Sequence, residues 1–471
     1  RGAPPAHGGG GHPHGTGGGG RVTLRPGRAD FASVIRLALP VAGVQVGLTA
    51  MGVVDTLMVG RVSAADLAAV ALGNLYFFVV GIFGLGILLA LDPVMAQAVG
   101  AGDREAAARG MQRGLALALV LGVVTALVLI PGEAVFRFAR QPAEVIPIAA
   151  GYARGSILGA VPFFLFIVFR QSLQAMGRVS PIFWTAVFGN VANAFLNWVL
   201  IWGHLGVPPL GAVGSAWATS LSRWVLAIGL LVVAWPLLAP LLRPWRAEVG
   251  RIAPLLRMLS IGIPIGMQFV LEFGAFALTG ILMGWLGTEP MAGHQIALNL
   301  SVFTFMVPMG IGAASAVLVG QGIGRGDAPG ARRAAGASLS LALAFMSAAA
   351  LVFLLFPEPL GRLFTGDPGV VAIVAVLLPI AGVFQISDGL QAVAAGVLRG
   401  AGDTRVPMLA NILGFWLVGL PVSGFLGFGL GWGPAGLWWG LAAGLAAVAA
   451  LLLLRVRVRF RRDLERLAVE G

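Results

Sequence analysis

Long apolar runs, cut at intervals by short clusters of Gly, Pro and Arg, organise almost the whole chain. A run of about 20 apolar residues is long enough to cross a bilayer as a helix. The runs predict spans near residues 33–60, 67–99, 110–131, 144–169, 181–203 and 212–236. Six more follow near 255–285, 290–322, 335–356, 370–398, 407–430 and 434–454. The ends differ from this pattern. Residues 1–30 are dominated by Gly, Pro and His, cannot form a packed core, and read as a disordered cytoplasmic tail. They contain no apolar segment of the signal-peptide kind, and His7, His12 and His14 offer at most weak metal ligands.

The pattern also repeats. "AQAVGAGD" at 96–103 returns as "GQGIGRGD" at 320–327, a shift of 224 residues that also pairs Pro40 with Pro264 and Gly60 with Gly284. Further on, "QAMGRVSP" pairs with "RGAGDTRVP", and "GAVG" at 211 with "GPAG" at 433. Each half holds six spans, an even number, so both halves cross the membrane in the same sense. The predicted fold is an all-α polytopic membrane protein: twelve transmembrane helices in two six-helix lobes related by a pseudo-two-fold axis along the membrane normal. The expected divisions are a tail 1–30, an N-lobe 31–236, a cytoplasmic linker 237–254, a C-lobe 255–454 and a basic tail 455–471.

Composition excludes a soluble protein: 58% of residues are hydrophobic, 11% are charged, and the mean hydropathy is +0.92. Soluble domains carry about 25% charged residues. The net charge of +12 comes from 31 basic residues that are all Arg. With the N-terminus inside, the tails and alternate loops hold 25 of them, and the opposite loops hold only Arg61, Arg137, Arg140 and Arg362. This split favours cytoplasmic termini and orientation in a membrane over nucleic-acid binding. The ending "RVRVRFRRDLER" suits an anionic lipid surface. The absence of Cys removes disulfides, thiolate metal sites and cysteine nucleophiles.

Four acids fall inside spans: Asp55, Asp92, Glu272 and Asp388. An ionised carboxylate at the bilayer centre costs at least a few kcal/mol, which makes each a functional candidate. Asp92 directly precedes Pro93, and its plainer role is to cap backbone groups freed at a kink. Asp55, Glu272 and Asp388 have no Arg among their immediate neighbours. Such a carboxylate can carry a proton or, with amide, hydroxyl and carbonyl oxygens, a hard cation such as Na⁺. No other metal site is expected. The repeat sets Asp55 opposite Thr279, Glu272 opposite Leu48 and Asp388 near Phe163, so no acid has an acidic twin. Asn190, Asn193 and Asn197 form a stripe on one helix face that reads either as neighbours of Asp55 or as interhelical hydrogen bonding.

Several motifs resemble one known family: "LALPVAGVQVGLTAMGVVDTLMVG", "AQAVGAGD", "LEFGAFAL", "MAGHQIALN", "PMGIGAASAVLVGQGIG" and "ISDGLQAVAAGVLRGAGD". Together they are similar to the multidrug and toxic compound extrusion (MATE) family, nearest its NorM-like branch, from about residue 33 to 454. The resemblance implies two six-helix lobes around a central cavity. It also implies secondary antiport of small organic, often cationic, compounds against H⁺ or Na⁺ by alternating access. By motif, Asp55, Asn193, Asn197 and Thr219 match the N-lobe cation site, and Glu272 and Asp388 match the C-lobe acids. Phe384 stands where NorM-like relatives carry Tyr. His294, in "AGHQ", suits a packing or hydrogen-bonded role better than titration. Met51, Phe78, Phe269, Phe276, Phe303 and Met306, with Phe384, are candidates to line an adaptable apolar cavity.

The expectation is therefore a monomeric, multi-pass protein of the bacterial inner membrane with both termini cytoplasmic. Its partners are organic cations or drugs and membrane lipids, and it uses no cofactor beyond the coupling ion. A flippase for a lipid-linked precursor is the first alternative, but such proteins favour basic cavities, and the candidates here are acidic. An intramembrane enzyme lacks a motif: no HExxH or GxSxG occurs in a span, and without Lys there is no GxxxxGK[ST] to drive transport by ATP.

Overall fold

The computed structural model describes residues 25–468, and among these the regular structure is entirely helical. Helices suit lipid because they satisfy every backbone donor and acceptor within one segment. In chain order they are α1 (Arg28–Val59), α2 (Ala64–Leu88), α3 (Leu91–Gly100), α4 (Arg104–Leu129), α5 (Gly132–Phe138) and α6 (Ile146–Ile157). Then come α7 (Ala160–Ala175), α8 (Ser180–Trp202), α9 (Gly211–Val233), α10 (Trp235–Leu242), α11 (Ile252–Trp285) and α12 (Thr288–Gly324). The last six are α13 (Ala328–Leu355), α14 (Pro357–Arg362), α15 (Pro368–Gly400), α16 (Arg405–Asn411), α17 (Leu420–Gly424) and α18 (Gly433–Arg459).

Eleven helical segments are long and apolar enough to cross a membrane, and α6 with α7, bent by 48°, makes a twelfth. Two of the eleven are irregular. α2 and α3 form one path broken just before Asp92 and Pro93, and π-helical turns at Ile412–Gly419 and Phe425–Gly429 flank α17. The largest shift from the sequence edges is α13, which starts at Ala328 because Asp327 caps it below the apolar run.

Helices α1 to α9 pack mainly among themselves, as do α11 to α18, and the two groups meet along α1–α12, α2–α11 and α3–α12. The repeat is visible in detail. Gly102 (φ 70°) turns the chain into α4, where the Asp103 carboxylate accepts from the Ala106 amide at 2.9 Å. Gly326 (φ 72°) turns it into α13, where Asp327 accepts from Gly330 at 2.8 Å. Both turns need the left-handed backbone that glycine adopts without penalty. At the seam a Cβ on Gly86 would lie 2.3 Å from the Gly266 Cα, so the lobes touch backbone to backbone.

Both described ends lie on one face. Arg333 pairs with Asp30 at 3.5 Å, Arg466 pairs with Asp103 at 2.9 Å, and Arg257 donates to the Ala468 carbonyl at 3.1 Å. This is called the terminal face below, and the opposite one the distal face. The expected tail lies outside the described residues up to position 24, whereas Arg28 to Asp30 already belong to α1. At the other end, the start of the basic tail continues α18 to Arg459. Part of the expected linker is also ordered, as α10 and a 3-10 turn at Ala247–Gly250. Gln112 of α4 holds it, donating to the carbonyls of Leu241 and Pro244 at 2.9 and 3.1 Å and accepting from Arg246 N at 3.0 Å.

Candidate cation-binding sites

Asp55 sits one turn from the distal end of α1 and is 3% exposed. Asn197 Nδ2 donates to its Oδ1 at 2.5 Å, and Thr219 Oγ1 donates to its Oδ2 at 2.8 Å. The same Asn197 amide donates to Asn193 Oδ1 at 3.2 Å. Three helices thus converge: α1 supplies the carboxylate, α8 two amides spaced four residues apart, and α9 the hydroxyl. Asn197 Oδ1 and Asn193 Nδ2 are buried without a hydrogen-bond partner, which leaves an oxygen beside the carboxylate for a further ligand. Asn190 does not join the cluster; its amide donates to the Ala186 carbonyl of its own helix at 2.9 Å.

None of the ion pairs among the described residues involves Asp55, but a cation arrives from α9. Arg223 is an electrostatic neighbour of Asp55 and of Tyr152, and its guanidinium lies 3.8 Å from the centroid of the Phe77 ring. Proximity in sequence could not reveal this partner. The repeat counterpart Thr279 is buried and donates to the Ala275 carbonyl of its own helix at 2.9 Å, so no equivalent cluster forms there.

The C-lobe acids lie deeper. Glu272 is 13 residues from the distal end of α11, about 20 Å along the helix. Gln391, one turn after Asp388 on α15, bridges the acids: its Nε2 donates to Glu272 Oε1 at 3.0 Å and to Asp388 Oδ1 at 3.2 Å. Asn411 Nδ2 approaches Glu272 Oε2 at 3.5 Å and the Gln268 carbonyl at 3.4 Å. Gln391 Oε1 and Asn411 Oδ1 are buried and unpartnered. The site therefore offers two carboxylates and two amide oxygens, the hard donors that suit a proton or an alkali cation. Gln391 and Asn411 are missing from the sequence reading. An amide three residues after an acid within an apolar run is the signal that would have found the first.

Asp92 corrects the sequence expectation. The break before it exists, but its carboxylate caps no backbone there. It forms an ion pair with Arg399 Nε of α15 at 2.8 Å and accepts from the Gln171 amide of α7. His294 is buried and accepts from Trp438 Nε1 at 3.1 Å, a hydrogen-bonded packing role. Phe384 is also buried, its ring centroid 5.3 Å from that of Trp438. Phe303 is exposed, Phe269 and Phe276 are half-buried, and Met51 and Met306 are buried. Phe78 packs edge-to-face on Phe273 across the lobes at 5.2 Å. Among the described residues no cluster of three or more His, Cys, Asp or Glu side chains forms a metal site.

The MatE family model matches the chain twice, over residues 40–199 and 264–424, one match in each lobe. The chain belongs to the MatE family. "Multidrug resistance protein PmpM" of Pseudomonas aeruginosa is 37% identical over 462 residues, covering 94% of this chain and 95% of that protein. "Probable multidrug resistance protein NorM" of Bradyrhizobium diazoefficiens is 37% identical over 443 residues, covering 92% and 94%. Among MATE crystal structures, the eukaryotic transporter AtDTX14 superposes with a TM-score of 0.83 over 92% of this chain and 98% of its own, at 22% identity. That last likeness speaks for the MATE fold.

Proposed function

We propose that this MATE protein is a secondary antiporter that expels small organic, mainly cationic, compounds as H⁺ or Na⁺ enters, by alternating access. The observation that carries the reading is the pair of acid sites inside spanning helices. Asp55, Glu272 and Asp388 take no part in the ion pairs among the described residues, and unpaired amide oxygens stand beside them. A buried carboxylate without a direct counter-ion is costly, and binding a cation or proton removes that cost. Loading and unloading the acids therefore changes the relative free energy of conformations that solvate them differently, which is the requirement for coupling. The relatives' printed names support drug export as the exchanged flux.

In this reading Asn197 and Thr219 orient Asp55, Gln391 holds the C-lobe acids together, and the termini face the cytoplasm. The two lobes divide near residues 31–236 and 255–454, with α1 taking in Arg28 to Asp30 and α18 running on to Arg459. Nothing at the acid sites favours a lipid-linked precursor, whose pyrophosphate the carboxylates would repel.

Growth of a drug-sensitised bacterial strain provides the test. Expression should raise resistance to lipophilic cations more than to anions of equal size, and Asp55→Asn at equal membrane abundance should remove the gain. Resistance unchanged by Asp55→Asn would defeat the reading.

A further inference from the structure

Gln97 and Gln321 occupy the same place in the two copies of the repeated motif, and each reaches out of its own lobe. Gln97 Nε2 on α3 donates to the Gly400 carbonyl at the end of α15, 3.0 Å away. Gln321 Nε2 on α12 donates to the Ala175 carbonyl at the end of α7, 2.7 Å away. The acceptors also correspond, because each lies two residues before a positive-φ glycine, Gly402 (φ 75°) or Gly177 (φ 70°). The backbones approach in the same paired way. A Cβ on Gly100 would lie 2.2 Å from the Gln321 carbonyl oxygen, and one on Gly324 would lie 2.1 Å from that of Gln97. One contact is thus made twice about the pseudo-two-fold axis, at the terminal face.

A charged contact without a twin stands beside it. Asp92 of the N-lobe and Arg399 of the C-lobe pair at 2.8 Å with side chains 3% and 14% exposed. The equivalent positions are Ala316 and Gln174. Arg170 is the other cation within electrostatic range of Asp92, and it is held by Gln45 Oε1 at 3.1 Å. The C-terminal segment covers the seam: Leu467 N donates to Gln97 Oε1 at 2.8 Å.

We propose that the repeated motif is an inter-lobe lock: Gln97 and Gln321, with the Asp92–Arg399 pair, hold the terminal face closed and must part when it opens. The proposal rests on the alternating-access reading above. The chemistry suits a contact that opens. Amides and charges exchange partners for water at small net cost, whereas an apolar seal of the same area would resist separation. A buried ion pair adds little to stability over an apolar pair, so its place at this seam calls for another role.

The chain has no Cys, so spin labels can be placed freely. Exposed Arg178 and Arg405 would carry one label pair across the terminal face, and exposed Val62 and Thr288 another across the distal face. Electron–electron distances would be measured in lipid nanodiscs while pH, Na⁺ and a cationic dye are varied. Gln97→Leu and Gln321→Leu should each raise the ratio of terminal-open to terminal-closed protein by about fivefold or more, since each loses an inter-lobe bond, with the larger effect at Gln97, which also loses the bond from Leu467 N. Arg399→Gln should raise it by about tenfold or more. Gln97→Glu keeps the side-chain size, loses the donor and should also open this face, which guards against misfolding of the Leu variants. Parental distances in all four folded variants overturn the lock. A parent whose distances ignore pH, Na⁺ and dye overturns alternating access, and variants that nevertheless open would still support the lock.

Discussion

Glu272→Gln removes one charge from the C-lobe pair with little change of shape. The bridging Gln391 nitrogen places Glu272 Oε1 and Asp388 Oδ1 no more than about 6 Å apart. At an effective dielectric constant of about 20, two charges at that separation repel by about 3 kcal/mol, so the pair strongly favours a bound cation or proton. A monovalent cation about 4 Å from one carboxylate gains about 4 kcal/mol from it at the same dielectric. The amide oxygen of the substituted side chain would retain part of this, leaving a loss of about 3 kcal/mol, or roughly two decades in affinity. The assay is dye efflux from proteoliposomes as a function of the driving cation, with the variant matched for orientation and amount. The half-saturating cation concentration should rise by about 100-fold, with cation-independent dye binding preserved. A half-saturation within about threefold of the parent would show that Glu272 and Asp388 do not hold the cation jointly.

Three further predictions concern the scaffold. Gly86→Ala places a methyl 2.3 Å from the Gly266 Cα and should lower the melting temperature and slow efflux, whereas Gly52→Ala, with nothing within 4 Å, should leave both unchanged. Trp438→Phe leaves buried His294 Nδ1 without its donor and should destabilise the protein by about 1–3 kcal/mol, read by detergent-based thermal unfolding. Asp103, in the turn outside the spans, is held below its usual carboxylate range, first by the Ala106 amide and then by Arg466. Its stabilising contribution is therefore full above about pH 4 and is lost as pH falls through the lowered value. Asp103→Asn should show a smaller loss of stability than the parent as pH is lowered below about 4, in the same unfolding assay.

The spans were legible because lipid leaves the chain one economical solution, and apolar length reports it directly. Where backbone geometry departs from a plain helix, the sequence was less informative. The break before Asp92 could be inferred from Pro93, but the π-helical turns around α17 have no comparable marker. Spacing alone left Asn193 and Asn197 open between neighbours of Asp55 and interhelical hydrogen bonding, and only the resemblance set them and Thr219 with the acid; the structure brings the four side chains into one hydrogen-bonded cluster. The C-lobe site was half legible: an acid in an apolar run is conspicuous, while amides such as Gln391 and Asn411 look like ordinary interhelical polar contacts. Asp92 was misread because its partner, Arg399, lies in the other lobe, where local sequence carries no trace of the pairing.

The most direct test of cation-coupled export uses purified protein in liposomes, given a Na⁺ gradient or a pH gradient separately while transport of a fluorescent organic cation is followed. At least one gradient should drive the dye uphill in the parent protein, and the same gradient should fail to do so in Asp55→Asn. Dye movement that ignores both gradients, or an Asp55→Asn variant that follows them as the parent does, would contradict the account.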